Sequence, residues 1–85
     1  MKNKDSRLII VSNYFTREHT LYVFEDSECK EEIKVTIEDL ENVARGLISK
    51  YSLKKVFMNA PQAYVDKFRT DMNTQFALGL NVIRI

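Results

Sequence analysis

Eighty-five residues, 45% of them hydrophobic and 29% charged, suit one globular domain spanning 1–85 with a small core and no second module. The formal net charge of +1 gives the whole chain no net attraction for nucleic acid or membrane. Cys29 is the only cysteine, so no internal disulfide framework exists and a reducing, cytoplasmic setting is expected. The longest unbroken apolar run is Leu8 to Val11, too short for a signal peptide or a membrane span.

The first six residues read as a flexible leader. Leu8 to Phe15 is β-branched and aromatic, and its start is apolar on both alternating faces, the pattern of a central strand covered on both sides. Thr16 to Thr20 is polar and turn-like. His19 lies inside it and reads as a solvated turn residue; no second His or Cys stands at metal-ligand spacing from it. Leu21 to Phe24 forms the second arm of an antiparallel hairpin. The acidic stretch from Glu25 to Glu32 reads as a turn or loop, followed by a brief edge strand over Ile33 to Val35.

From Thr36 the hydrophobic period changes from 2 to about 3.6 residues. Ile37, Leu40, Val43, Ala44, Leu47, Ile48 and Tyr51 fall on one helical stripe, with Thr36 and Asp39 spaced as a capping box. Gly46 within it either permits close helix–sheet approach or is a tolerated cost. Lys54 to Asn59 is a strand. Pro61 suits a first helical turn, and Tyr64, Val65, Phe68, Met72 and Phe76 form a second stripe. Gly79 breaks the helix, and Leu80 to Ile85 is the last strand. The order β-β-β-α-β-α-β describes an α/β (α+β) domain with a mixed five-stranded sheet, its helices packed on the sheet faces. The helix-joined strands run parallel through right-handed crossovers.

This order resembles the ribonuclease H-like fold, which implies the sheet order 3-2-1-4-5. The segment Met58-Asn59-Ala60-Pro61-Gln62-Ala63-Tyr64-Val65 is similar to that fold's strand-to-helix Asp-Ser-x-Tyr-Val segment. Tyr64 and Val65 match. The resemblance implies metal-binding aspartates at the ends of the first and fourth strands, where this chain carries Asn13 and Asn59. An asparagine carbonyl can ligate a cation but brings no charge, so a two-metal nuclease centre is not expected and the asparagines read as strand terminators. No cofactor is implied.

Other chemistries have weaker support. Cys29 sits among Glu28, Glu31 and Glu32, whose charges oppose a thiolate nucleophile. There is no glycine-rich phosphate loop and no nucleophile-elbow spacing. A non-enzymatic interaction or regulatory protein is therefore expected. Its Lys, Asn, Ile and Glu usage suits a low-GC bacterium, its phage or a mobile element.

The near-neutral total hides an asymmetry that offers three candidate surfaces. Residues 25–41 carry eight acids against two lysines, a net of −6, and the rest of the chain carries eleven bases against four acids, a net of +7. Glu25, Asp26, Glu28, Glu31 and Glu32 are candidates to face a protein partner. Lys50, Lys54, Lys55, Lys67 and Arg69 are candidates to face nucleic acid, the alternative function. Val82, Ile83 and Ile85 lie on a strand expected at the sheet edge, where homodimerisation by strand addition is an expectation and Asn81 and Arg84 the guards against it.

Overall fold

The computed structural model describes residues 5–13, 15–76 and 78–85. Its elements run β1 (Ser6–Asn13), β2 (Glu18–Glu25), β3 (Glu28–Thr36), α1 (Ile37–Tyr51), β4 (Lys55–Asn59), α2 (Gln62–Phe76) and β5 (Asn81–Arg84). One mixed sheet has the order β3-β2-β1-β4-β5, with β2 antiparallel to both its neighbours and β1, β4 and β5 parallel. This is the architecture and strand order expected from the sequence.

Several local expectations change. Residues 1–4 of the expected leader lie outside the described residues, and Ser6 already belongs to β1. The acidic stretch is not a loop: β2 turns at Asp26-Ser27 and returns as a nine-residue β3 that starts at Glu28. Asp26 takes φ +59°, a left-handed turn conformation that Asp tolerates. Charged residues are poor strand formers in isolation. On an edge strand they face water and oppose pairing with another chain, so a Glu- and Lys-rich β3 is physically reasonable. Thr36 precedes α1 in an extended conformation but makes no side-chain cap hydrogen bond, so the expected capping box is absent. Pro61 itself stands at the head of α2, its carbonyl accepting the N–H groups of Tyr64 and Val65.

Among the described residues the core lies on one side of the sheet. Leu8 and Ile10 of β1, Leu21 and Val23 of β2, Val56 and Met58 of β4 and Val82 of β5 are buried, and the register aligns them in cross-strand rows. They pack with Leu40, Ala44, Leu47 and Ile48 of α1 and Val65, Phe68 and Met72 of α2 in one cluster. The expectation that β1 is covered on both sides is therefore overturned. The reason is topological. From β3, first in the sheet, the chain crosses to β4, fourth, and from there to β5, fifth. Both crossovers join parallel strands and step in the same direction, so right-handedness puts both helices on the same face.

The end of α2 is tied to β5 by Asn73. Its amide accepts the Leu80 N–H through Oδ1 at 2.7 Å and donates to the Leu80 carbonyl through Nδ2 at 3.2 Å. Between them Gly79 turns at φ +63°, the left-handed conformation that made it a break point.

Candidate functional site: an open sheet face and a cleft at the strand ends

The sheet face without helices carries a second set of apolar side chains. The register lines up Tyr22, Ile9, Phe57 and Ile83 in one row, bordered by Glu32. Val11 lies in the row on one side and Phe24 in the row on the other. Ile9, Val11, Tyr22, Phe24 and Phe57 are half-buried and Ile83 is 38% exposed. Along the Phe24 row the border is basic. The Arg7 guanidinium sits over the Phe24 ring at 5.5 Å, and the exposed Lys55 pairs in register with Arg7.

The second feature is a cleft of about 440 Å³ at the ends of β1 and β4, lined by Ser12, Asn13, Arg17, His19, Ile37, Pro61 and Tyr64. His19 is not a solvated turn residue. The turn is shorter than expected, so His19 is the second residue of β2, only 6% exposed and directly across from Ser12. Its Nδ1 is 2.8 Å from the Ser12 Oγ, and its ring lies nearly parallel to that of Tyr64 at 5.9 Å. Burial holds its pKa below the ordinary 6.5, so the imidazole is neutral at pH 7. Ile37, expected in the core, is 52% exposed at the mouth of this cleft. The clue in the sequence was alternation: His19 continues the inward set Leu21 and Val23 by one more step of two.

Asn13 and Asn59 end β1 and β4, the places where the resemblance implies aspartates. The Asn13 Oδ1 accepts the N–H groups of Phe15 at 3.0 Å and Thr16 at 3.3 Å, closing the β1–β2 turn. Among the described residues no three His, Cys, Asp or Glu side chains are grouped to hold a metal ion. The donor set here does not fit a pair of hard divalent cations, which want several converging carboxylates.

The acidic candidates are divided among local partners. The Glu31 carboxylate accepts from Lys50 Nζ at 2.8 Å and the Tyr51 hydroxyl at 2.5 Å, tying β3 to the last turn of α1, and these bonds lower its pKa. Glu28 pairs with Lys30. The Glu25 carboxylate takes a long 3.5 Å hydrogen bond from Ser6, and the Asp26 carboxylate accepts the Asp5 N–H at 3.2 Å. Glu32 is exposed on the open face opposite Tyr22.

The basic candidates split in the same way. Lys50, Lys54 and Lys55 gather at the end of the molecule where α1 finishes and β4 begins. Lys67 and Arg69 lie on opposite sides of α2, two residues being about 200° apart around a helix. Lys67 binds Asp71 at 2.6 Å, and Arg69 binds Asp66 and the Val82 carbonyl. Of the three edge candidates, Val82 of β5 is buried beneath the helices, while Ile83 of β5 and Ile85, just past its end, are exposed.

No protein-family model and no curated protein matches the sequence. The chain is similar in fold to a solved protein of Bacteroides thetaiotaomicron described as having an actin-like ATPase fold and unknown function. The TM-score is 0.71 at 8% sequence identity over 94% of this chain. The matched part is 32% of that longer chain. The likeness places the domain broadly in the ribonuclease H-like class of folds, to which the actin-like fold belongs.

Proposed function

We propose that this protein is a non-enzymatic interaction module that binds a partner protein across the open face of its sheet, the occupant being an amphipathic helix. The observation that carries this is the row Tyr22, Ile9, Phe57 and Ile83 with Val11 and Phe24 beside it. Apolar side chains at the centre of a sheet face gain by losing their remaining exposure, and burying one fully contributes about 1.5–3 kcal/mol. A five-stranded sheet is about 24 Å wide at about 4.8 Å per strand. Packed helices lie about 8–10 Å apart, so the bare face has room for one helix with margin and offers it the same kind of surface that α1 and α2 cover on the other side. Lys55 at one border favours a helix with acidic residues at that end, the neighbouring Arg7 being shared with Asp5 at 3.5 Å.

The alternative, binding to a nucleic-acid backbone, has less support because three of its five candidate cations, Lys50, Lys67 and Arg69, are already paired with acids. Composition supports placing the protein in the cytoplasm of a low-GC bacterium, whether encoded by the host or by a phage.

A photoreactive side chain at position 83, beside Phe57 on the same face, introduced into the full chain in its native cells, tests the proposal. The expected crosslink is to the apolar side of a helix in one protein, and Phe57→Lys abolishes capture of that protein while Lys54→Ala retains it. Capture indifferent to Phe57→Lys, or salt-sensitive retention of nucleic acid in its place, overturns the reading.

A further inference from the structure

The cleft at the strand ends is separate from the open face, and its chemistry points to a different kind of ligand. From β1 the chain turns to β2 on one side of the sheet, whereas from β4 it leads through α2 to β5 on the other. Neighbouring parallel strands whose connections diverge in this way leave a crevice at their carboxyl ends, where ligands bind in open α/β sheets. Here the crevice is about 440 Å³, within the range that accepts one small molecule.

Two of its polar residues, Asn13 and Arg17, offer hydrogen-bond donors. The Asn13 Oδ1 is committed to the turn, which leaves only the Nδ2 amino group for a ligand. Among the described residues Arg17 is the one charged residue of the lining, His19 being neutral, and none of them brings a carboxylate to the cleft. His19 is held by Ser12 through Nδ1, while its Nε2 has no hydrogen-bond partner among the described residues and is not sealed from solvent. The remaining walls are Ile37, Pro61 and the Tyr64 ring, which stacks on His19.

One cation, an amide donor and flat apolar walls form a complementary set. We infer that the cleft binds a small organic anion with a planar apolar body, of the aromatic carboxylate class, with its carboxylate toward Arg17 and Asn13 and its ring against Tyr64 and Ile37. The inference does not rest on the open-face reading, and each can fail alone.

Titration of the ¹⁵N-labelled full chain with benzoate, benzyl alcohol and inorganic phosphate, followed by amide chemical shifts, tests it. Benzoate is expected to shift Asn13, Arg17, His19 and Tyr64 saturably, and benzyl alcohol to bind about tenfold more weakly or worse, the size of one charge-assisted hydrogen bond. Arg17 has φ +59°, so Arg17→Asn removes the cation while keeping a residue suited to that backbone. The variant is expected to melt no lower than the parent and to lose benzoate affinity by about tenfold or more. Absence of saturable shifts at millimolar benzoate overturns the inference. So does equal binding of benzyl alcohol, phosphate reproducing the benzoate shifts, or unchanged affinity in the Arg17 variant.

Discussion

Gly46 faces solvent in the middle of α1, and a Cβ at that position meets nothing within 4 Å. Of the two readings the sequence allowed, close approach to the sheet is therefore excluded and the conformational cost remains. Gly46→Ala should raise stability by about 1 kcal/mol, seen as a higher urea midpoint with an unchanged slope. His19 makes a second residue-scale prediction. Its folded pKa lies below the ordinary 6.5, so the folded state takes up a proton less readily than the unfolded chain. The stability this contributes is complete above about 6.5 and is lost as pH falls below it toward the folded value. Urea unfolding between neutral and mildly acidic pH should show that loss, and His19→Gln should flatten this part of the profile. An unchanged slope in the variant would assign the loss to the carboxylates. Among these, Glu31 has the same sign, its lowered pKa giving stability that disappears as pH falls below the ordinary carboxylate range.

At the scale of elements, the two sheet edges are protected by different means. β3 alternates charge on its outward positions, the common defence of an edge strand. β5 is guarded by a side chain from another element. Asn81 and Ile85 direct their N–H groups to β4, to the carbonyls of Lys54 and Met58, so Val82 and Arg84 direct theirs to the free edge. Arg69 of α2 occupies the Val82 carbonyl at 3.1 Å. Arg84, a guard expected from the sequence, turns its Nε to the Ala60 carbonyl at 2.9 Å. Arg69→Met should free the Val82 carbonyl and strengthen concentration-dependent self-association in sedimentation velocity. A variant that sediments as the parent does at every concentration would assign the edge protection to another group.

Over the whole molecule, the two faces of one sheet differ in what lies over them, and neighbours in sequence differ accordingly. Met58 is fully buried beneath the helices, while Phe57 is half-buried on the open face. Met58→Ala should cost about 2–5 kcal/mol of unfolding free energy. Phe57→Lys should cost about 1 kcal/mol or less, because its long apolar stem can lie on the same surface with the charge in water. Denaturant unfolding of the two variants compares the faces directly. Equal large losses would mean that the open face is part of the folding core rather than a surface held for a partner.

Element order and both amphipathic helices were legible in the sequence, because each rests on a short-range period, whereas the strand order was implied only by the resemblance to the ribonuclease H-like fold. The reach of β3 was not legible: a Glu- and Lys-rich segment becomes a strand through pairing with β2, and that pairing is a tertiary fact. His19 was misplaced for a related reason, since one turn residue more or less decides whether a side chain faces water or the core. The apolar character of both faces of β1 was plain from Leu8, Ile9, Ile10 and Val11. Which of those faces receives the helices, and that only one does, followed from the direction in which the two crossovers step across the sheet. Residue pattern was enough to say which elements would form, whereas which faces would be covered came from the packed fold, because burial depends on the hand and order of connections rather than on the hydrophobicity of any single strand.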